Sequence, residues 1–156
     1  MNVEQFRSLI EPVAEAVAGR PVVPELGAEL ERRFPPGGEQ FRAIESACHA
    51  AIAAGWMCSQ GGAGRRFGRV IEAGPQTSNL SVDVVDLTDI VGPHHRHPTG
   101  EICMVMPQTP TARFDGKGAG WKVYPPESAH RPTVTAGRAL VLYMLPEGRI
   151  EFTATG

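Results

Sequence analysis

Three of the five histidines fall in the stretch His94-His95-Arg96-His97-Pro98-Thr99-Gly100-Glu101. Side chains on a strand alternate between faces, so His95 and His97 point the same way. The Pro98-Thr99-Gly100 turn then brings Glu101 back towards them. His130, at the end of Pro125-Pro126-Glu127-Ser128-Ala129-His130, offers a fourth donor at the mouth of a further strand. Imidazole nitrogen and carboxylate oxygen suit a divalent transition metal ion: Fe, Mn, Zn, Ni or Co. The expected metal site is therefore His95, His97, Glu101 and His130. Such a set leaves positions for water or substrate, as a catalytic centre requires. It serves a Lewis acid, an oxygen-activating iron or a structural metal equally well.

The neighbours of these residues supply the remaining candidates. His94 has the opposite parity to His95, which suits it to proton handling or substrate contact. If Glu101 faces inward, Cys103 and Val105 follow it, so Cys103 is a candidate for the pocket wall. Tyr124 and Tyr143 are phenols that could donate a proton. Arg96, Arg113 and Arg131 are candidates to hold a carboxylate through a bidentate contact. Asp83 and Asp86 read as an exposed strand face or turn, and His49 as a solvated helix residue. Cys48, Cys58 and Cys103 are an odd set without CxxC spacing, which fits free thiols better than a disulfide framework. Cys48 and Cys58 read as small buried hydrophobes.

The elements that must position these groups fall into two parts. Phe6, Leu9, Ile10, Val13 and Val17 recur at helical spacing, predicting a helix over 3–18 that Pro12 kinks or divides. A second helix is expected from Pro24 to Phe34, ended by Pro35-Pro36-Gly37-Gly38, and a third from Glu39 to Ala54, capped by Gly55. Strands and turns follow. Trp56–Ser59 and Arg66–Ile71 read as a pair joined by Gln60-Gly61-Gly62-Ala63-Gly64, a loop without the Lys and Ser/Thr of a phosphate-binding loop. Leu80–Leu87 alternates, with Val82 and Val84 on one side and Ser81, Asp83 and Val85 on the other. Six short strands are then expected: 101–106, 111–114, 120–124, 132–136, 139–145 and 150–153. Asp115-Gly116 and Pro146-Glu147-Gly148 are hairpin turns. Evenly spaced short strands predict a mostly β fold, a sandwich or small barrel, with residues 1–55 a helical segment packed on 56–156.

With 156 residues and 42% hydrophobic content, one compact domain is expected. The net charge of -2 argues against a nucleic-acid partner. No run is long and apolar enough for a membrane span, and no secretory signal is visible, so a cytoplasmic protein is expected.

The pattern HxHxxxE followed by a Pro-rich turn ending in His resembles the two-part metal motif of the cupin superfamily. Glu127 stands where many cupins have a turn glycine, and a different turn conformation is expected there. Further segments resemble the 4-hydroxylaminobenzoate lyases: Ser81 to Asp86, Gly92 to Pro98, Ser128 to Val134 and Gly137 to Tyr143. The resemblance implies a cupin-type β-barrel and a homodimer. It also implies a metal-dependent conversion of 4-hydroxylaminobenzoate and water to 3,4-dihydroxybenzoate and ammonia. The substrate is then a small aromatic carboxylate. A cupin dioxygenase, a sugar or keto-acid isomerase and a non-catalytic binding module are the rival readings.

Overall fold

The computed structural model describes residues 1–153. Residues 154–156, the end of the expected barrel range, lie outside the described residues. Three helices come first: α1 (Val3–Val17), α2 (Pro24–Arg33) and α3 (Glu39–Ala54). The strands are β1 (Gln60–Gly62), β2 (Arg65–Ile71), β3 (Leu80–Val91), β4 (His95–His97), β5 (Glu101–Pro107), β6 (Arg113–Phe114), β7 (Gly120–Tyr124), β8 (Ser128–His130), β9 (Thr133–Pro146) and β10 (Glu151–Phe152). They form a large sheet ordered β1-β2-β3-β9-β5-β7, with β6 added to β9, and a small sheet ordered β10-β4-β8.

Parity on the large sheet decides what faces what. Val82 and Val84 of β3, Leu140, Leu142 and Met144 of β9, and Ile102, Met104 and Met106 of β5 join the core shared with the helices. The alternate residues Leu87, Cys103, Val105 and Val141 form a second core on the opposite face. The large sheet is thus covered on both sides, by the helical layer behind and by the small sheet in front. Phe6, Ile10, Leu30, Phe41 and Ile44 are the main helical contribution to the rear core. Each stabilises the layer by about 1.5–3 kcal/mol.

Asn2 and Gln5 form a reciprocal capping box at the start of α1, and Gly55 ends α3 in the left-handed conformation. Pro12 lies inside α1 without dividing it. The buried face formed by Ile10, Val13 and Val17 offsets the lost backbone hydrogen bond.

Several strand boundaries differ from those the sequence predicts. Trp56–Ser59 is not a strand: Cys58 takes a φ of 53°, and Trp56 turns onto Phe6 with ring centroids 6.2 Å apart. Its place beside β2 is taken by β1, so the turn shrinks to Ala63-Gly64. The two strands expected at 132–136 and 139–145 are one, β9, with a register shift opposite Thr88–Ile90 and positive φ at Ala136 and Gly137. Ser128–His130, read as a turn, pairs with β4 as β8. At Asp115-Gly116 both residues have positive φ, the twist that a two-residue hairpin turn favours.

The outer edge of the large sheet is closed by α2. Glu31 Oε1 accepts a hydrogen bond from the Trp121 backbone N–H at 2.6 Å and an ion pair from Lys117 at 3.0 Å. Trp121 Nε1 donates to the Phe34 carbonyl at 2.9 Å. Gly120 makes this approach possible: its φ is +131°, and a Cβ there would lie 1.9 Å from Glu31 Oε1. Gly120→Ala should therefore destabilise the fold by about 2–3 kcal/mol in chemical denaturation. An unchanged denaturation midpoint would show that the α2–β7 seam carries no such strain.

Candidate metal centre

His95 and His97 sit on β4, Glu101 opens β5, and His130 ends β8. The Pro98-Thr99-Gly100 turn reverses the chain between β4 and β5, with Gly100 at a φ of +92°. Pairing in the small sheet then sets His95 directly opposite His130. The result is one cluster from three strands. Glu101 Oε2 lies 3.3 Å from His95 Nε2 and 3.1 Å from His97 Nε2. Glu101 Oε1 lies 3.4 Å from His130 Nε2, and the Nε2 atoms of His95 and His130 are 3.1 Å apart.

These separations test whether a metal fits. Ligand atoms bound to one ion at about 2.1 Å lie roughly 3.0–3.4 Å apart in tetrahedral or octahedral arrangement. The observed contacts from 3.1 to 3.4 Å match. The centre is also buried: His97 is 0% and Glu101 2% exposed. His97 Nε2 and Glu101 Oε2 have no hydrogen-bond partner among the described residues. Buried polar atoms are rarely left in this state. A proton satisfies one pair of such acceptors, whereas a divalent cation satisfies all four side chains.

The surrounding contacts fix the tautomers of two imidazoles, His97 and His130. Ser128 Oγ donates to the Pro125 carbonyl at 2.5 Å, so it accepts from His97 Nδ1 at 3.0 Å and leaves Nε2 with a lone pair. His130 Nδ1 donates to Asp115 Oδ2 at 2.6 Å, so the neutral form of this imidazole likewise carries its lone pair on Nε2. Asp115 also accepts from the Tyr124 hydroxyl and, at 2.9 Å, from the Thr133 backbone N–H. Carboxylate and hydroxyl groups behind ligating imidazoles orient them and raise their basicity.

The electrostatics follow from burial and these partners. Burial pushes the Glu101 carboxyl up, yet His130, His95 and His97 together hold it well below the usual range. Burial also favours the neutral His130 imidazole, but Asp115 and Glu101 outweigh it and raise the pKa to about 9. Burial raises Asp115, and His130, Tyr124 and the Thr133 N–H bring it below its ordinary value. Burial and then Glu101 push the Cys103 thiol up, and it donates to Glu101 Oε1 at 3.1 Å.

His95 and Glu101 of the cluster line a cavity of about 210 Å³ between the two sheets. Its walls are largely apolar, with Phe67, Leu87, Phe114 and Val141 prominent. Of the phenols, Tyr143 lines this cavity, while Tyr124 lies behind His130 with ring centroids 4.4 Å apart. His94 is turned away onto Thr153. Cys103 is fully buried.

None of the three nominated arginines lines the cavity. Arg96 pairs with Glu127 and Glu151, Arg113 bonds the Pro110 and Ala112 carbonyls, and Arg131 reaches the Gly92 carbonyl. The guanidinium groups at the cavity belong to Arg65 and Arg69 of β2. Asp83 is no exposed strand residue: it is 7% exposed, lines the cavity and pairs with Arg69 at 3.2 Å. Its alternation with Val82 and Val84 was the available signal, because parity places it on the face that Glu101 also occupies. Glu127 adopts a φ of 70°, the conformation a glycine would take, rather than a different turn. Its ion pair with Arg96 and its backbone bond to the His97 carbonyl at 2.8 Å hold it there.

The 4-hydroxylaminobenzoate lyase family model matches residues 8–152. The chain belongs to that family. A 4-hydroxylaminobenzoate lyase of Nocardioides sp. strain LMS-CY is 28% identical over 153 residues, covering 92% of this chain and 90% of the relative. Another, from Pseudomonas putida, is 29% identical over 140 residues, covering 79% and 80%. This enzyme therefore shares a family with proteins that carry that activity in their names. Its fold resembles the solved structure described as the DMSP lyases RdDddP and RnDddQII, with a TM-score of 0.55 over 97% of this chain and 96% of that one, at 14% identity. A protein with a cupin-like fold from Ralstonia eutropha JMP134 overlaps less, with a TM-score of 0.43 and 18% identity over 60% and 61% of the chains. The architecture of the lyase is mostly β, two sheets preceded by helices. No helix of the described residues is long and apolar enough to cross a membrane.

Two outcomes are expected from the contacts around His130. Asp115→Asn should keep the fold and weaken divalent-metal binding about 10- to 100-fold in competition titrations with a chelator; unchanged affinity would remove Asp115 from the orienting role. In protein stripped of metal, the folded His130 pKa of about 9 exceeds the ordinary 6.5. Its contribution to stability is then complete below pH 6.5 and disappears as the pH rises through 9. Denaturation of metal-free wild type and His130→Gln should converge over that interval. A constant gap between them contradicts the assignment.

Proposed function

We propose that the enzyme converts 4-hydroxylaminobenzoate and water to 3,4-dihydroxybenzoate and ammonia, using one divalent transition metal ion held by His95, His97, Glu101 and His130. The convergence of four ligand atoms in one buried cluster, which reaches an apolar cavity through His95 and Glu101, carries this reading. A bound divalent ion there would act as a Lewis acid and lower the pKa of a coordinated water.

The rest of the chemistry falls to the chain itself. Phe67, Val85, Leu87 and Val141 give an aromatic ring an apolar slot and exclude bulk water. Burial, and then Asp83 and Glu101, push the Tyr143 phenol well above its ordinary pKa, so it remains a proton carrier at neutral pH. In this reading Tyr143 Oη donates a hydrogen bond to the departing hydroxylamine oxygen. Tyr124 acts one step back, through Asp115, on the orientation of His130. Atoms and electrons balance between the two substrates and two products, so neither oxygen nor an electron carrier takes part. The reading extends to a cytoplasmic homodimer, which light scattering on the purified protein checks.

Purified enzyme should contain stoichiometric metal and release ammonia and 3,4-dihydroxybenzoate in equal amounts under anaerobic conditions. Turnover that requires oxygen would transfer the enzyme to the dioxygenases, and bound metal with no ammonia would leave a binding module. His97→Ala should lose the metal while its far-ultraviolet circular dichroism is retained; full metal occupancy would remove His97 from the ligand set.

A further inference from the structure

We propose that Arg65 is the carboxylate anchor of the cavity, receiving the anionic end of a benzoate whose para substituent lies against the imidazole cluster. This rests on the proposed substrate class and assigns the residue that selects it.

Strand parity puts Arg65, Phe67 and Arg69 of β2 on one face, and all three line the cavity. Two guanidinium groups are therefore available, and their partners separate them. Arg69 is engaged with both Asp83 oxygens at 3.2 and 3.4 Å, with Glu72 at 3.3 Å and with the Gly148 carbonyl at 3.2 Å. Its charge is already matched. Arg65 has no ion pair among the described residues; its guanidinium lies over the Phe67 ring, 4.4 Å from the centroid. Stacking occupies the face of the group and leaves its N–H edge for a planar acceptor, the geometry in which guanidinium binds carboxylate bidentately.

Position along the strands agrees. Arg69 pairs with Asp83, and Asp83 with Tyr143, whereas Arg65 pairs with Leu87. Arg65 is thus four residues, about 13 Å of strand, from the row holding Tyr143. A long arginine side chain and a para-disubstituted ring together span that interval. Phe67 is placed between, where an aromatic ring would lie. An apolar slot with metal ligands at one end and an unmatched cation at the other fits a ring carrying a neutral polar group and an anion at opposite positions.

The test compares binding of two unreactive ligands, 4-aminobenzoate and its neutral isostere 4-aminobenzamide, to wild type, Arg65→Met and Arg65→Lys. Calorimetry on wild type should show a preference for the carboxylate of about 10- to 100-fold. Arg65→Met should abolish that preference by weakening 4-aminobenzoate alone, and Arg65→Lys should restore part of it. Equal weakening of both ligands, or a preference that survives in Arg65→Met, overturns the proposal; if Arg65→Met does not fold, Arg65→Gln carries the same comparison. With 4-hydroxylaminobenzoate, Arg65→Met should raise KM and leave kcat within a few-fold. Arg65-dependent binding without turnover in wild type would reject the proposed reaction and keep the anchor. Turnover with an unaltered KM in Arg65→Met would do the reverse.

Discussion

Four lone-pair donors gathered in a buried space repel one another unless a positive charge lies between them. That constraint organises the front half of the molecule. Two of the imidazoles are held from behind, His97 by Ser128 and His130 by Asp115, and strand pairing sets His95 opposite His130. In the metal-free protein a protonated His130 between Asp115 and Glu101 supplies that charge; a divalent cation in its place would engage all four side chains at once. The supporting contacts would tune the affinity for such a cation about 10- to 100-fold beyond what the four side chains supply.

Asp115 shows how closely the supports are tied to the fold. It sits at positive φ in the β6–β7 turn, accepts the backbone N–H at the start of β9, and accepts hydrogen bonds from His130 and Tyr124. One side chain thereby joins a local reversal, a long strand and the second half of the ligand set. Glu127 works similarly on the other side of β8, where a conformation suited to glycine is retained by an ion pair with Arg96.

The sequence revealed the clustering of His95, His97 and Glu101 because its signal is local and dense: alternating histidines, a turn, and a carboxylate. It revealed α3 to the residue because a continuous apolar stripe ends on a glycine. It did not reveal β8, since Ser128–His130 is stabilised only by pairing with β4 and has no strand-like composition of its own. Asp115 read as a turn residue, which it is, and nothing in its neighbourhood announces the histidine fifteen positions away. The cavity arginines were missed for a related reason. Arg96, Arg113 and Arg131 are near the motif in sequence, whereas Arg65 and Arg69 reach the cavity through the pairing of β2 with β3. Glycine-rich surroundings drew attention to the loop rather than to the strand face beyond it.

The double covering of the large sheet bears on how freely the chain can vary. Every residue from Glu101 to Met106 is buried, one parity against the helices and the other against the front core. None of those six positions offers solvent as a refuge for a new side chain. Sequence drift must therefore be channelled elsewhere, into helix exteriors and rim loops, while the strand carrying the carboxylate can change only together with residues in two layers at once.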